Sequence, residues 1–545
     1  MIKIFFNLLL LLVISSCSNK HNDAIDNLNK SFFKWHNKYS NNMFNTFSTD
    51  SLINQKQFIG QSFYRDIKRF TLELNQISSN KISKDRRNSH RVLDDYLNKN
   101  LFNYEKIKHH EWNIIKLLDE LHSDILYLLV LEEQDAISAM DFDNRVEFIS
   151  LKINSIYDIK YCHSSDSNKE IISYLLDRIN QLLDLSNIKI LREDLENLED
   201  WYNNNYNKLD SFIQSKLRPN YEKYISIELD RNIDVDSTIG EARESLSNYE
   251  FNIFNLSLPI YLSSNDEPIW TDYQDTLNVI DWMVSNLNNL SKSNSTCFNQ
   301  DNIFEIPTFF SSSIMDIHSK KFVEDIYFKS SSITDTPFYF YDITRGRFIA
   351  LNYLEQDNPI ELYLSVINDL FPGDLFIDYS VKASNSLINK VYTKTAYLLP
   401  YRSLLTQNYI DFLYSDSFKT TRLIREDCKV EHENYSYMLD LLVNINRIKN
   451  CISVISTIQY HYYDIPINET INNYNHLNFF NENEIKKLKI EILGFGIDSI
   501  IKFKAYNLML NLFQDSTLDH DPEYLIGILK DNPNINFNTI ENIIK

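Results

Sequence analysis

Few stretches of this chain carry residue types at spacings that do chemistry. His110-Glu111 opens a His-Glu-x-x-His pattern, but Ile114 stands where the second imidazole belongs, so His109 and His110 are expected on a solvent-facing helix. Gly494-Phe495-Gly496 has two of the three glycines of a dinucleotide-binding turn, yet Ser499 takes the third place and no strand precedes it. No Gly-x-Ser-x-Gly nucleophile elbow occurs. Cys162, Cys297, Cys428 and Cys451 show no Cys-x-x-Cys spacing and read as core residues. The informative stretch is 348–377, FIALNYLEQDNPIELYLSVINDLFPGDLFI. A hairpin there ends at Asn352, and a helix expected over 359–371 carries Asn368 and Asp369 up to Pro372-Gly373, with Asp374 just beyond. This is the only Pro-Gly dipeptide in the chain. Proline cannot continue a helical hydrogen-bond ladder, so the chain must bend at that point.

The elements that would position these residues are mostly helices. From 31 to Lys216 there is no proline and one glycine, Gly60. Leu117, Leu118, Leu121, Ile125 and Leu128 recur at helical spacing, as do Leu175, Ile179, Leu182 and Leu183, and again Leu191, Leu195, Leu198 and Tyr202. Between Pro219 and Pro400 short aromatic runs with β character appear: Phe304 to Phe310, Phe338 to Tyr341, and Phe348 to Tyr353 after the turn signal Arg345-Gly346-Arg347. Helical patterning then resumes, broken at Pro372, Pro400 and Pro466. The division expected is a leader at 1–16, a tether at 17–30, an N-terminal helical region at 31–218, and a second helical region at 219–545 with a β insertion at about 300–353.

The first residues look like an export signal. Ile4 to Ile14 is apolar except for Asn7. As a helix it would span about 16 Å, against ~30 Å of membrane hydrocarbon, which suits a cleaved leader and not a permanent span. Ile14-Ser15-Ser16-Cys17 reads as a lipobox, with Cys17 acylated and becoming the first residue of an envelope protein. Ser18 is not the aspartate that favours inner-membrane retention, so the expected address is the outer membrane. The 545 residues carry 75 acidic and 54 basic side chains, a net charge of −21, which argues against a nucleic-acid partner. With 43% hydrophobic residues the chain can bury a large core.

The region 338–410 resembles the bacterial domain-of-unknown-function 885 family, mostly helical proteins similar to zinc peptidases. Gly346, Phe348 and Asn352 match that family's hairpin, and Pro372-Gly373 matches its His-Glu-x-x-Pro-Gly-His motif. The resemblance implies a mainly α, two-lobed, gluzincin-type fold around a long cleft with a small β element. It places Asn368 and Asp374 at the two histidine ligands, Asp369 at the general base, and Ser403, within a residue or two, at the third ligand. It also aligns His461 with a histidine before a helix, and Phe503-Lys504 with a Tyr-Lys pair; Asn352 and His461 are the substrate-binding candidates. An Asn amide and a Ser hydroxyl are poor zinc ligands, and losing both imidazoles removes most of a binding free energy of ~10 kcal/mol. Zinc and hydrolysis are therefore expected to be lost, leaving a cleft for a peptide or protein ligand. Two other readings stand beside this one. The all-oxygen set of Asn368, Asp369, Asp374 and Ser403 suits calcium or magnesium in an altered hydrolase. The chain also has the length of a helical solute-capture lipoprotein that holds glycans on aromatic side chains.

Overall fold

Long helices form where apolar residues keep three- and four-residue spacing and proline is absent. A computed structural model describes residues 20–36, 61–162, 165–186, 188–212, 217–229, 231–264, 273–293, 325–342, 345, 347–354, 362, 364–371, 373–376, 387–388, 402, 406, 432–475 and 477–514. They form a mainly helical protein, as expected, with a small sheet in the expected β region and a second, two-stranded one outside it. Cys17, the 304–310 run, Pro372 and Ser403 lie outside the described residues.

Helix α1 spans 20–36, so part of the expected tether is folded. Ile25, Leu28, Phe32 and Trp35 fall on one helical face and pack against α2 (Gln61–Asn75) and α3 (Lys84–Phe102). Helices α4 (Ile114–Glu133), α5 (Ala139–Ile156), α6 (Asp166–Asp184) and α7 (Lys189–Asn205) build a second core from the expected leucine stripes, although Leu117 is only half-buried. Side-chain caps start three of them, with Asn113, Ser138 and Ser165 accepting from the backbone three residues on. Strands β1 (Tyr161–Cys162) and β2 (Asp210–Ser211) pair in parallel at the edge of this group.

The largest core gathers α8 (Arg218–Leu229), α9 (Val235–Ser264), α10 (Tyr273–Ser293), α11 (His432–Tyr463) and α13 (Asp498–Gln514), with α9 lying along α11. Ile107 and Trp112 reach into it from the N-terminal side. In return α12 (Glu482–Leu493) places Leu488, Ile492 and Leu493 in the core of α4–α7. The cores therefore do not separate at residue 218.

Strands β3 (Ile326–Lys329), β4 (Phe338–Asp342) and β5 (Arg347–Leu351) form the second sheet in the order β3-β5-β4. β4 and β5 are the expected hairpin, antiparallel with Phe340 opposite Ile349, and β3 adds in parallel with Ile326 opposite Phe348. Strand side chains alternate faces, and β5 buries both. Ile349 and Leu351 meet Tyr127 and Leu131 of α4, while Phe348 and Ala350 enter the largest core. α4 thus packs against the sheet on one side and against α5–α7 on the other. Asn352 ends β5 at φ 58°, its Oδ1 accepting from the Ser331 N–H at 2.8 Å and its amide donating to the Thr334 carbonyl. Its side chain is spent on the turn.

Candidate ligand cavity

A π-helical turn sets the site. Over Val366–Leu370 the bonds run i to i+5, with the Phe371 N–H donating to the Val366 carbonyl at 2.9 Å. Such a turn holds one residue more than an α turn and persists where packing supports it. Val366, Ile367, Leu370 and Phe371 are all buried and pin it from the core side. Asn368 and Asp369, adjacent in sequence, then both line one cavity. Gly373 fixes the return of the chain, because a Cβ there would fall on the backbone of Ile367 and Asn368.

Arg402 bridges the two carboxylates. Its guanidinium is ion-paired with Asp374, with Nε donating to Asp374 Oδ1 at 3.4 Å, and Nη2 lies 3.6 Å from Asp369 Oδ1. The side chains of Arg402, Asp369 and Asp374 are 30, 28 and 16% exposed, so solvent weakens these attractions only in part. Thr406 Oγ1 sits 2.9 Å from Asn368 Oδ1 and 3.1 Å from the Arg402 carbonyl. Tyr353, delivered by the end of β5, donates to Asp369 Oδ2 at 3.4 Å. Burial pushes the Asp369 carboxyl up to about 6; Arg402 opposes that rise, and the charge of Asp374 adds to it.

The cavity above them measures about 630 Å³, inside the range of roughly 300–1,000 Å³ that holds small organic ligands. Val284 and Leu287 of α10, Leu442 of α11 and Phe503 of α13 give it apolar wall. Three more cations line it. Lys449 is paired with Glu484 at 2.6 Å, and the Arg447 guanidinium lies over the rings of Tyr249 and Tyr506 at 5.7 and 5.1 Å. Lys502, on α13, makes no hydrogen bond or ion pair with any of the described residues. Burial lowers its pKa, and the charge of Arg402 pushes the same way.

Of the residues singled out from sequence, Asn368, Asp369 and Asp374 come together here, and Arg402 faces them from beside the nominated Ser403. Neither Asn352 nor His461 lines the cavity. His461 is buried in α11, with Nε2 2.7 Å from the Ile492 carbonyl and its ring against Tyr221, Tyr460 and Phe495. His109, expected in solvent, instead packs on Trp112 and Phe495, where burial lowers its pKa well below the ordinary value. Gly494-Phe495-Gly496 is a helix-ending turn: Phe495 has φ 64° and the Gly496 N–H donates to the Glu491 carbonyl at 2.8 Å. It aims the Phe495 ring into that cluster. Arg402, Thr406, Tyr353, Arg447, Lys449 and Lys502 were not nominated from sequence.

The described donors, Asn368, Asp369 and Asp374, offer zinc no imidazole or thiolate. Among the described residues no three His, Cys, Asp or Glu side chains gather as a metal site. Asp369 and Asp374 both face a guanidinium fixed where a dication bridging them would sit, and two cations cannot share that place.

No family model matches the chain, and no curated protein matches it. The fold does have solved counterparts. A protein from Shewanella oneidensis, described as a "putative lipoprotein of unknown function", superposes with TM-score 0.61 at 11% identity, covering 97% of this chain and 99% of that one. A "putative lipoprotein" from Colwellia psychrerythraea superposes with TM-score 0.55 at 11% identity, covering 97% and 98%. The chain shares its fold, over nearly its whole length, with proteins so described.

Proposed function

We propose that this chain is a lipid-anchored protein of the bacterial envelope, attached through Cys17 to the outer membrane, which holds a peptide or protein segment in the Asp369–Arg402 cavity without hydrolysing it. The leader and lipobox support the anchor, and so do the descriptions of the two structural counterparts. Among the described residues no helix is long and apolar enough to cross a membrane. The observation that carries the binding reading is Arg402 held across Asp369 and Asp374 at the floor of an open cavity. A bridging guanidinium supplies the positive charge that a bridging metal would supply, and it offers no activated water. The motif correspondence at 338–410 fits a peptidase-like ancestry in which the cleft outlived its ligands.

The test is a peptide library incubated with the full chain, with and without added zinc, read by mass spectrometry. Retention of intact peptides supports the reading, and zinc-dependent cleavage products overturn it. For the anchor, Cys17→Ser is expected to abolish incorporation of labelled palmitate and to release the protein from the membrane fraction.

A further inference from the structure

We propose that the cavity recognises a free carboxylate on its ligand, the C-terminal carboxylate of a short apolar peptide, with Lys502 as the residue that receives it. This rests on the peptide-binding reading above and names what the site would select.

Charge bookkeeping around the cavity points there. In a chain of net charge −21, the described residues of the lining carry four cations, Arg402, Arg447, Lys449 and Lys502, against two carboxylates, Asp369 and Glu484. Asp374, behind Arg402, is the third acid. Glu484 is committed to Lys449, and Asp369 and Asp374 to Arg402. Arg447 is backed by Tyr249 and Tyr506. Lys502 is left, a partly buried ammonium on the cavity wall with no carboxylate of the described residues in contact with it. The charge of Arg402 repels it, and those of Glu491 and Asp374 attract it. A buried charge without a partner is costly, and an incoming anion relieves that cost directly.

Other lining groups favour a peptide over a simple fatty acid. The amides of Asn446, Asn450 and Asn478 line the cavity and make no hydrogen bond to any of the described residues. An asparagine amide both donates and accepts, as a peptide group does. A hydrocarbon tail would leave all three unused. Val284, Leu287, Leu442 and Phe503 then give an apolar side chain a surface to lie against.

The test uses the full chain, purified in detergent, and two probes: N-acetyl-Leu-Leu-Phe with a free C-terminal carboxylate, and the same peptide amidated. Calorimetric titration is expected to show the acid binding at least tenfold more tightly than the amide. Lys502→Gln is expected to bring the acid's affinity to within about twofold of the amide's, with an unchanged thermal melt showing that the variant folds. Lys502→Arg is expected to restore the preference. Lys504→Gln, on the side of α13 that pairs with Glu241 at 2.8 Å, should leave both affinities unaltered. Equal binding of acid and amide by the wild type overturns the carboxylate inference while leaving a peptide site in place. Binding of neither peptide removes both. A preference that survives Lys502→Gln overturns the assignment to Lys502.

Discussion

Replacing Arg402 with glutamine keeps a polar side chain in place and removes a charge that faces both Asp369 and Asp374. For a fully buried pair, removing one partner costs about 3–5 kcal/mol. With side chains 16 to 30% exposed here, solvent screens part of that, and about 2 kcal/mol is expected at pH 8. In a chain of this length that corresponds to a fall of roughly 2 °C in melting temperature. The loss should depend on pH in a stated direction. Asp369 already holds its proton up to about 6 with Arg402 present, and losing that cation raises it further. At pH 5 Asp369 is then neutral and Asp374 alone loses the attraction of Arg402, so the loss should fall to about half its pH 8 value. Thermal melts of wild type and Arg402→Gln at the two pH values measure this. A loss that is the same at both, or under about 0.5 kcal/mol at pH 8, would refute the idea that Arg402 serves as counterion to the pair.

Asp369→Asn tests the same cluster from the other side. A folded-state value above the unfolded one means the native protein binds the proton more tightly, so this group's contribution is fully present below about pH 4 and is lost as pH rises through about 6. The variant should therefore gain about 1–2 kcal/mol over wild type at pH 7.5 and almost nothing at pH 4.5, read by denaturant titration. Gly373→Ala drives a Cβ into the backbone of the π turn and should cost about 2–4 kcal/mol, together with the peptide binding assigned to the cavity, measured by melting and titration. Asn352→Ala loses two hydrogen bonds at a left-handed residue and should cost about 2–3 kcal/mol. Asn352→Gly, which tolerates that backbone, should cost about 1 kcal/mol less than alanine in the same assay. Lys152→Met removes the ammonium 2.9 Å from the buried carboxylate of Asp124 and should cost about 2–4 kcal/mol by denaturation.

The helical body was legible because burial repeats on a period the sequence displays: Leu191, Leu195, Leu198 and Tyr202 could hardly face water together. The β4–β5 hairpin was legible for the same reason, through its aromatic runs and turn residues. Strand β3 was not, since Ile326–Lys329 is four residues whose partner lies some twenty residues on and runs parallel to it. At the site, the motif around Pro372-Gly373 led to Asn368, Asp369 and Asp374, and all three gather. Arg402, the residue before the nominated Ser403, faces them, and Tyr353 and Lys502 likewise lie one residue from Asn352 and Phe503. Asn352 and His461 were read as ligand contacts because a motif match cannot tell a side chain bonded to its own backbone from one offered to a ligand. Arg447, Lys449 and Lys502 carry no local signal at all; their convergence is a product of the tertiary fold.

The N-terminal helices close their core with Leu488, Ile492 and Leu493, residues made some three hundred positions later. A nascent chain holding only the first two hundred residues has an apolar face with nothing to cover it, and it cannot settle into its final packing until nearly all of it has been synthesised. On the export route proposed above, that delay keeps the polypeptide threadable while it crosses, and Leu488, Ile492 and Leu493 close the core on the far side.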